Sequence, residues 1–348
     1  MWKVVGHNRA VSLLQRSLER GTLSHAYLFV GLPHVGKMTL ALALAQALNC
    51  AAAEPPCGEC DPCRKIALAK HADVQIIGLD SPGNSADDKV RTEIGIDQIR
   101  QVQSSASLPP FEGRCKVFIV DGAEHLSLEA ANCLLKTLEE PVGRVVFILL
   151  ATGERFLPAT VVSRCQRLAL APLAASEVED TLKKLGVEPQ KAKLLARLCH
   201  GCLGWAISAA SDGGLLQQRA ERLDMLFDIL GADYEARFTY ALHLAAQFSQ
   251  SRDSVYEVLD SWLDWWRDLM LFKVGCKDAI TNVDFEAMIV EQAKDFGLAE
   301  IKEVINRLQM AGGQLRLNAN PQLVLETLML NIPRREGAAR EASLPRFR

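Results

Sequence analysis

The first 170 residues alternate between short, almost wholly apolar runs and longer stretches with helical periodicity. Ala26–Val30 (AYLFV), Val74–Gly78, Val117–Val120 and Val145–Leu150 have strand length, and the last is rich in β-branched residues. Continuous apolar runs of this kind suit parallel strands covered on both faces. Between them, Lys37–Asn49 reads as an Ala/Leu-rich helix, and SLEAANCLLKTLEEP sets Ala131, Leu134, Leu135 and Leu138 on one helical face. Ser127 is placed to cap that second helix, Glu129 lies near the positive end of its dipole, and Pro141 ends it. The alternation predicts a doubly wound α/β domain.

After about residue 170 the strand signals fade. Residues 172–210 hold short helical patterns punctuated by Gly201 and Gly204, and residues 212–332 are helical almost throughout. The stripe Trp262, Leu263, Trp266, Leu269 and Met270 is expected to pack a helix interface rather than to stack on a base or cofactor. The predicted organisation is an α/β core at 1–170, a small helical lid at 171–211, a helical domain at 212–333 and a flexible Arg- and Ala-rich tail at 334–348. No internal repeats interrupt it.

Composition narrows the class. The 348 residues are 49% hydrophobic and 23% charged, as expected of a globular protein of two or three domains. No apolar run nears the roughly 20 residues that span a bilayer, and MWKVVGHNRA lacks a basic-then-apolar secretion pattern. A cytoplasmic chain without membrane contact is expected. The net charge of −3 gives no global attraction to nucleic acid, so any DNA contact must be local.

Ten cysteines without a secretion signal point to metal or reduced thiols. Four of them, Cys50, Cys57, Cys60 and Cys63, contain two CxxC steps that share Cys60. Together they can close a tetrahedral Cys₄ zinc site, which is structural because no position stays open. The isolated Cys199–Cys202 pair reads as two core thiols.

GLPHVGKMTL, Gly31 to Leu40, follows the first strand and opens a helix, as a phosphate-binding loop must. Gly31 and Gly36 allow close backbone approach, and Lys37 would meet the terminal phosphates of ATP or ADP. Met38 occupies the place of the Ser or Thr that holds Mg²⁺, and a thioether is a poor ligand for that hard ion. Thr39 falls about 100° further round the helix. Asp121 ends a strand where an acidic side chain can hold a metal's water shell. Gly122 then stands where an ATPase of this type carries Glu, and Glu124 has no evident reason to reach that place. Thr152, at the end of another strand, could sense a γ-phosphate. Arg164, in SRC after a short turn near Pro158, is either a solvated charge or an arginine finger offered to a neighbour's nucleotide.

SHAYLFVG, the Cys₄ insertion, GIDQIRQVQ, LPPFEGRCKVFIVDGAEHLS, EAANCLLKTLEEP, SRCQRL and NANPQLVLETLML together resemble the delta-prime family of bacterial DNA polymerase III clamp-loader subunits, of the AAA+ class. The resemblance implies an AAA+ core, a helical lid and a helical collar that joins a five-membered ring with delta and tau/gamma subunits. That ring loads a sliding clamp onto primed DNA with ATP bound by tau/gamma. Arg164 corresponds to the family's arginine finger, Cys50, Cys57, Cys60 and Cys63 to its zinc ligands, and Gly31, Gly36, Lys37 and Thr39 to its nucleotide loop. The lid segment GCLGWA lacks the γ-phosphate-sensing Arg of an active motor. A subunit with little hydrolysis of its own is therefore expected, the alternative being an active tau/gamma-type ATPase.

Overall fold

The structure, a computed structural model, describes residues 2, 4–79, 93–139, 143–317 and 319–335. The expected helix stop at Pro141 and the tail beyond 335 lie outside the described residues. The chain forms two compact units, Met1–Gly186 with Cys199–Ala206, and Val187–Leu198 with Ile207–Arg348.

The first unit contains α1 (Asn8–Glu19), β1 (Ala26–Val30), α2 (Lys37–Asn49), α3 (Asp61–Ala67), β2 (Val74–Ile77), α4 (Ile96–Ala106), β3 (Lys116–Asp121), α5 (Leu128–Glu139), β4 (Val145–Ala151), α6 (Ala159–Val162), β5 (Gln166–Ala169) and α7 (Ala175–Lys184). The five strands are all parallel and lie in the order β2-β3-β4-β1-β5. Period-two alternation divides them between two cores. Tyr27, Phe29, Val117, Ile119, Val146, Ile148 and Leu150 join Leu14, Leu40 and Leu44 on one face. Leu28, Phe118, Val120, Phe147 and Leu149 join Ile99, Val102, Leu134 and Leu138 on the other. Each fully buried apolar side chain of this size contributes about 1.5–3 kcal/mol, so the double burial fixes the register.

Ser127 caps α5 as expected, its Oγ accepting the Ala130 N–H at 3.1 Å. β5 is a strand that the apolar pattern did not reveal. It pairs with β1 alone, and its burial alternates because it lies at the sheet edge. The registers set Val30 against Ala151 and Asp121 against Leu150, which levels the C-terminal ends of β1, β3 and β4. In open α/β sheets the ligand crevice lies outside such ends.

The second unit is helical: α8 (Pro189–Leu198), α10 (Gly214–Gly231), α11 (Tyr234–Gln250), α12 (Arg252–Lys273), α13 (Glu286–Gln292), α14 (Leu298–Arg316) and α15 (Pro321–Asn331). A further helix, α9 (Leu203–Ser211), begins in the first unit and ends in the second. Trp262, Trp265, Trp266 and Leu269 of α12 are completely buried, so the aromatic stripe is core, as its spacing predicts. Arg237 of α11 is buried too, and its guanidinium donates to the carbonyls of Ile229 (3.0 Å), Met329 (3.2 Å), Ile332 (2.6 Å) and Pro333 (3.1 Å). Those oxygens close the ends of α10 and α15, where helix dipoles present negative charge.

Candidate functional site

With β1 ending at Val30 and α2 starting at Lys37, Gly31–Gly36 must turn the chain at the level C-terminal edge of the sheet. The Gly31 N–H donates to Ala151 O at 3.1 Å, which ties the loop to the end of β4. A Cβ on Gly31 would lie 2.5 Å from the Leu170 carbonyl oxygen, and Gly36 caps α2 with φ +110°, so both positions require glycine. Free amides at the start of α2 and the positive end of its dipole suit an anionic phosphate chain. The residues therefore fit a nucleotide. Lys37, the first residue of α2, donates from Nζ to Gly31 O (2.6 Å) and Leu32 O (2.9 Å). Burial pushes its pKa down, against the Glu124 and Asp121 carboxylates, which pull it up. Met38 packs against the apolar cluster that contains Val35, Leu40 and Leu44, and Thr39 is exposed.

Asp121 closes β3 and is exposed, yet loss of hydration among neighbouring atoms pushes its carboxyl pKa up, with Lys37 opposing. Thr152 follows β4, and its N–H is held at 3.0 Å by Oε1 of Glu124. The sequence alone gives Glu124 no reason to reach this place. The structure supplies one. Gly122 takes φ +72° and Ala123–His125 form a 3₁₀ turn, so the chain reverses sharply after β3 and leaves Glu124 within electrostatic reach of Asp121. The Asp-x-x-Glu spacing was the available signal.

Arg164 follows α6 at a half-buried corner. Its Nε donates to Glu139 at 2.7 Å, Nη2 pairs with the same carboxylate, and Nη1 donates to Thr160 O at 2.8 Å. Among the described residues none of its bonds reaches the phosphate loop, so this guanidinium is not part of its own chain's loop site.

The Cys₄ group lies between α2 and the start of α3. Its four sulfurs all fall within 4.8 Å of one another, with Cys50–Cys60 at 3.9 Å and Cys57–Cys63 at 4.0 Å. A tetrahedral zinc with bonds of about 2.3 Å separates its sulfurs by about 3.8 Å, so the group fits that ion. Backbone N–H groups already serve the ligand atoms: Ala52 and Cys57 donate to Cys50 Sγ, Glu59 and Cys60 to Cys57 Sγ. The Cys60 and Glu59 amides pull the Cys57 thiol down to about 6, whereas burial pushes Cys63 up to about 12. Bound zinc would cross-link the loop to α3 and perform no reaction. Cys199 and Cys202 are buried core thiols, as the sequence suggested, and burial raises both.

A parallel sheet ordered β2-β3-β4-β1-β5, with a phosphate loop between β1 and α2 and an all-helical unit after it, defines an AAA+ P-loop protein. Residues 6–174 match the family described as DNA polymerase III, delta subunit, and residues 214–334 match its C-terminal counterpart. The chain belongs to the DNA polymerase III clamp-loader subunit family. It is 28% identical to DNA polymerase III subunit delta' of Bacillus subtilis over 92% of this chain and 94% of that protein. It is 27% identical to subunit tau of the same organism over 94% of this chain, and spans 60% of tau's length. A gamma subunit-related protein of Thermotoga maritima, of known structure, aligns over 94% of this chain and 99% of its own, with 18% identity and a TM-score of 0.48. Among the described residues no helix is long and apolar enough to cross a membrane.

Proposed function

We propose that this chain is the delta-prime subunit of a bacterial clamp loader. It joins delta and tau/gamma subunits in a cytoplasmic hetero-pentamer that places the sliding clamp on primed DNA. In this reading residues 1–170 are the AAA+ core, 171–211 the lid and 212–333 the collar that builds the ring. Arg164 serves as an arginine finger in a neighbour's ATP site, where its charge stabilises the transferring phosphoryl group. The chain's own loop holds ATP or ADP through Gly31, Gly36, Lys37 and the α2 amides, with Asp121 and Thr152 beside the phosphates. The observation that carries the reading is Met38, whose thioether packs into the apolar cluster where a metal-binding hydroxyl would be needed. Gly122 and the Arg-free lid segment agree with it. Zinc at Cys50, Cys57, Cys60 and Cys63 is structural.

The nearness of Glu124 to Lys37 favours a second reading, an active tau/gamma-type ATPase. One experiment separates the two. The isolated chain is assayed for steady-state ATP hydrolysis, then reconstituted with delta and tau/gamma subunits as wild type and as Arg164→Ala. The expected result is little turnover alone, and an intact ring whose DNA- and clamp-stimulated hydrolysis falls at least about tenfold in the variant. Robust turnover by the isolated chain, abolished by Lys37→Ala, would establish the second reading instead. Unchanged stimulated activity in Arg164→Ala would remove the finger assignment.

A further inference from the structure

Glu139 holds Arg164 along one edge of its guanidinium, through Nε at 2.7 Å and through Nη2, while Nη1 donates to Thr160 O at 2.8 Å. A guanidinium carries five N–H donors in a rigid plane, so these three bonds leave one donor on each terminal nitrogen. The Nη1 donor left over has Ser163 Oγ at 3.4 Å, too long for a strong bond. Both ends of the ion pair are anchored. Glu139 is the last residue of α5, and the Leu138 before it is buried, its carbonyl accepting from the His25 ring at 2.7 Å. On the other side, Val161 of α6 is buried in the same core, and its carbonyl accepts the Arg164 N–H at 3.1 Å.

Helix stability does not explain a carboxylate at this place. The C-terminal end of a helix dipole is negative and disfavours it. Nor does the pair add much to the fold, because its side chains are 34% and 48% exposed and solvent screens the attraction. What the pair does fix is a direction. The geometry points to Glu139 as the positioning residue of the finger: it holds the Nε–Nη2 edge of Arg164 and leaves the terminal donors for the phosphate of an adjoining subunit's nucleotide. The inference rests on the finger reading above and adds what aims the finger. A loose arginine must give up the freedom of its long side chain at the moment it meets the transferring group. One held by its own fold has already lost that freedom. The effect therefore belongs to the rate of transfer and not to the neighbour's grip on ATP.

The test is steady-state ATP hydrolysis by the complex reconstituted with delta and tau/gamma subunits, in the presence of clamp and primed DNA. Wild type is compared with Glu139→Ala, Glu139→Gln, Arg164→Ala and the double variant Glu139→Ala/Arg164→Ala. Glu139 is exposed, so the substitutions spare the core, and ring assembly and the melting temperature of each chain check this. Glu139→Ala is expected to lower kcat about fivefold with KM for ATP changed by less than about twofold. Glu139→Gln keeps an oxygen for the Arg164 N–H groups and should return kcat to within about twofold of wild type. The double variant should be no slower than Arg164→Ala, because Glu139 acts only through that arginine. Unchanged kcat in Glu139→Ala, with Arg164→Ala impaired, overturns the inference and leaves the finger. A rise in kcat would make the ion pair a latch and overturns it too. Unchanged activity in Arg164→Ala overturns both.

Discussion

Three backbone amides, those of Phe111, Glu112 and Gly113, point at the buried carboxylate of Asp73 from 2.7–2.8 Å. Burial alone would raise that carboxyl, but the three N–H bonds and His71 override it and hold its pKa below the usual range. A folded-state value below the unfolded one of about 3.9 stabilises the fold at every pH above the latter. That contribution disappears as pH falls through the folded value. Asp73→Asn should therefore cost about 2–4 kcal/mol at pH 7, read from urea unfolding, and should flatten the loss of stability between about pH 5 and 3. The string LPPFEGRC was conspicuous in the sequence, but its anchor was not, because Asp73 lies 38–40 residues away from the amides it holds. Glu124 escaped for the opposite reason. A single 3₁₀ turn is too short to leave a periodic signal, yet long enough to reorient one side chain.

At the scale of elements, those written in apolar runs and glycines were legible. β1 and α2 occupy the residues expected of them, because Gly31–Gly36 punctuates the chain between two continuous apolar segments. β5 was not, since Gln166 and Arg167 read as polar surface and the strand has one neighbour. Helix α3 tests the metal reading. Its seven residues are too few to be stable alone, and Cys60 and Cys63 bracket its first turn. Purified protein should carry one zinc per chain by elemental analysis. Cys63→Ala should lose it and lower the melting temperature by about 5 °C. Retention of the metal should weaken as pH falls, because protons compete for the thiolates. Metal-free protein that melts at the wild-type temperature would refute the assignment.

At the scale of the whole molecule, the helical unit depends on a charge with no carboxylate among the four partners given above. Arg237 satisfies carbonyls at the ends of α10 and α15 together, which a lysine's three donors cannot match in that planar arrangement. Replacing it with Met of comparable length would orphan buried acceptors and cost about 3–5 kcal/mol, seen as an earlier urea midpoint in tryptophan fluorescence. Periodicity predicted the buried tryptophans but not this arginine, whose partners are backbone atoms remote in sequence. The same remoteness sets an order of events during synthesis. Arg237 leaves the ribosome 92–96 residues ahead of Met329, Ile332 and Pro333, a delay of about 5–20 s at ordinary elongation rates. The sheet, complete once β5 has emerged, can close in that interval. The helical unit must stay unlocked until α15 is made, so newborn chains pass through a stage with a finished parallel sheet and a helical unit still open at the ends of α10 and α15.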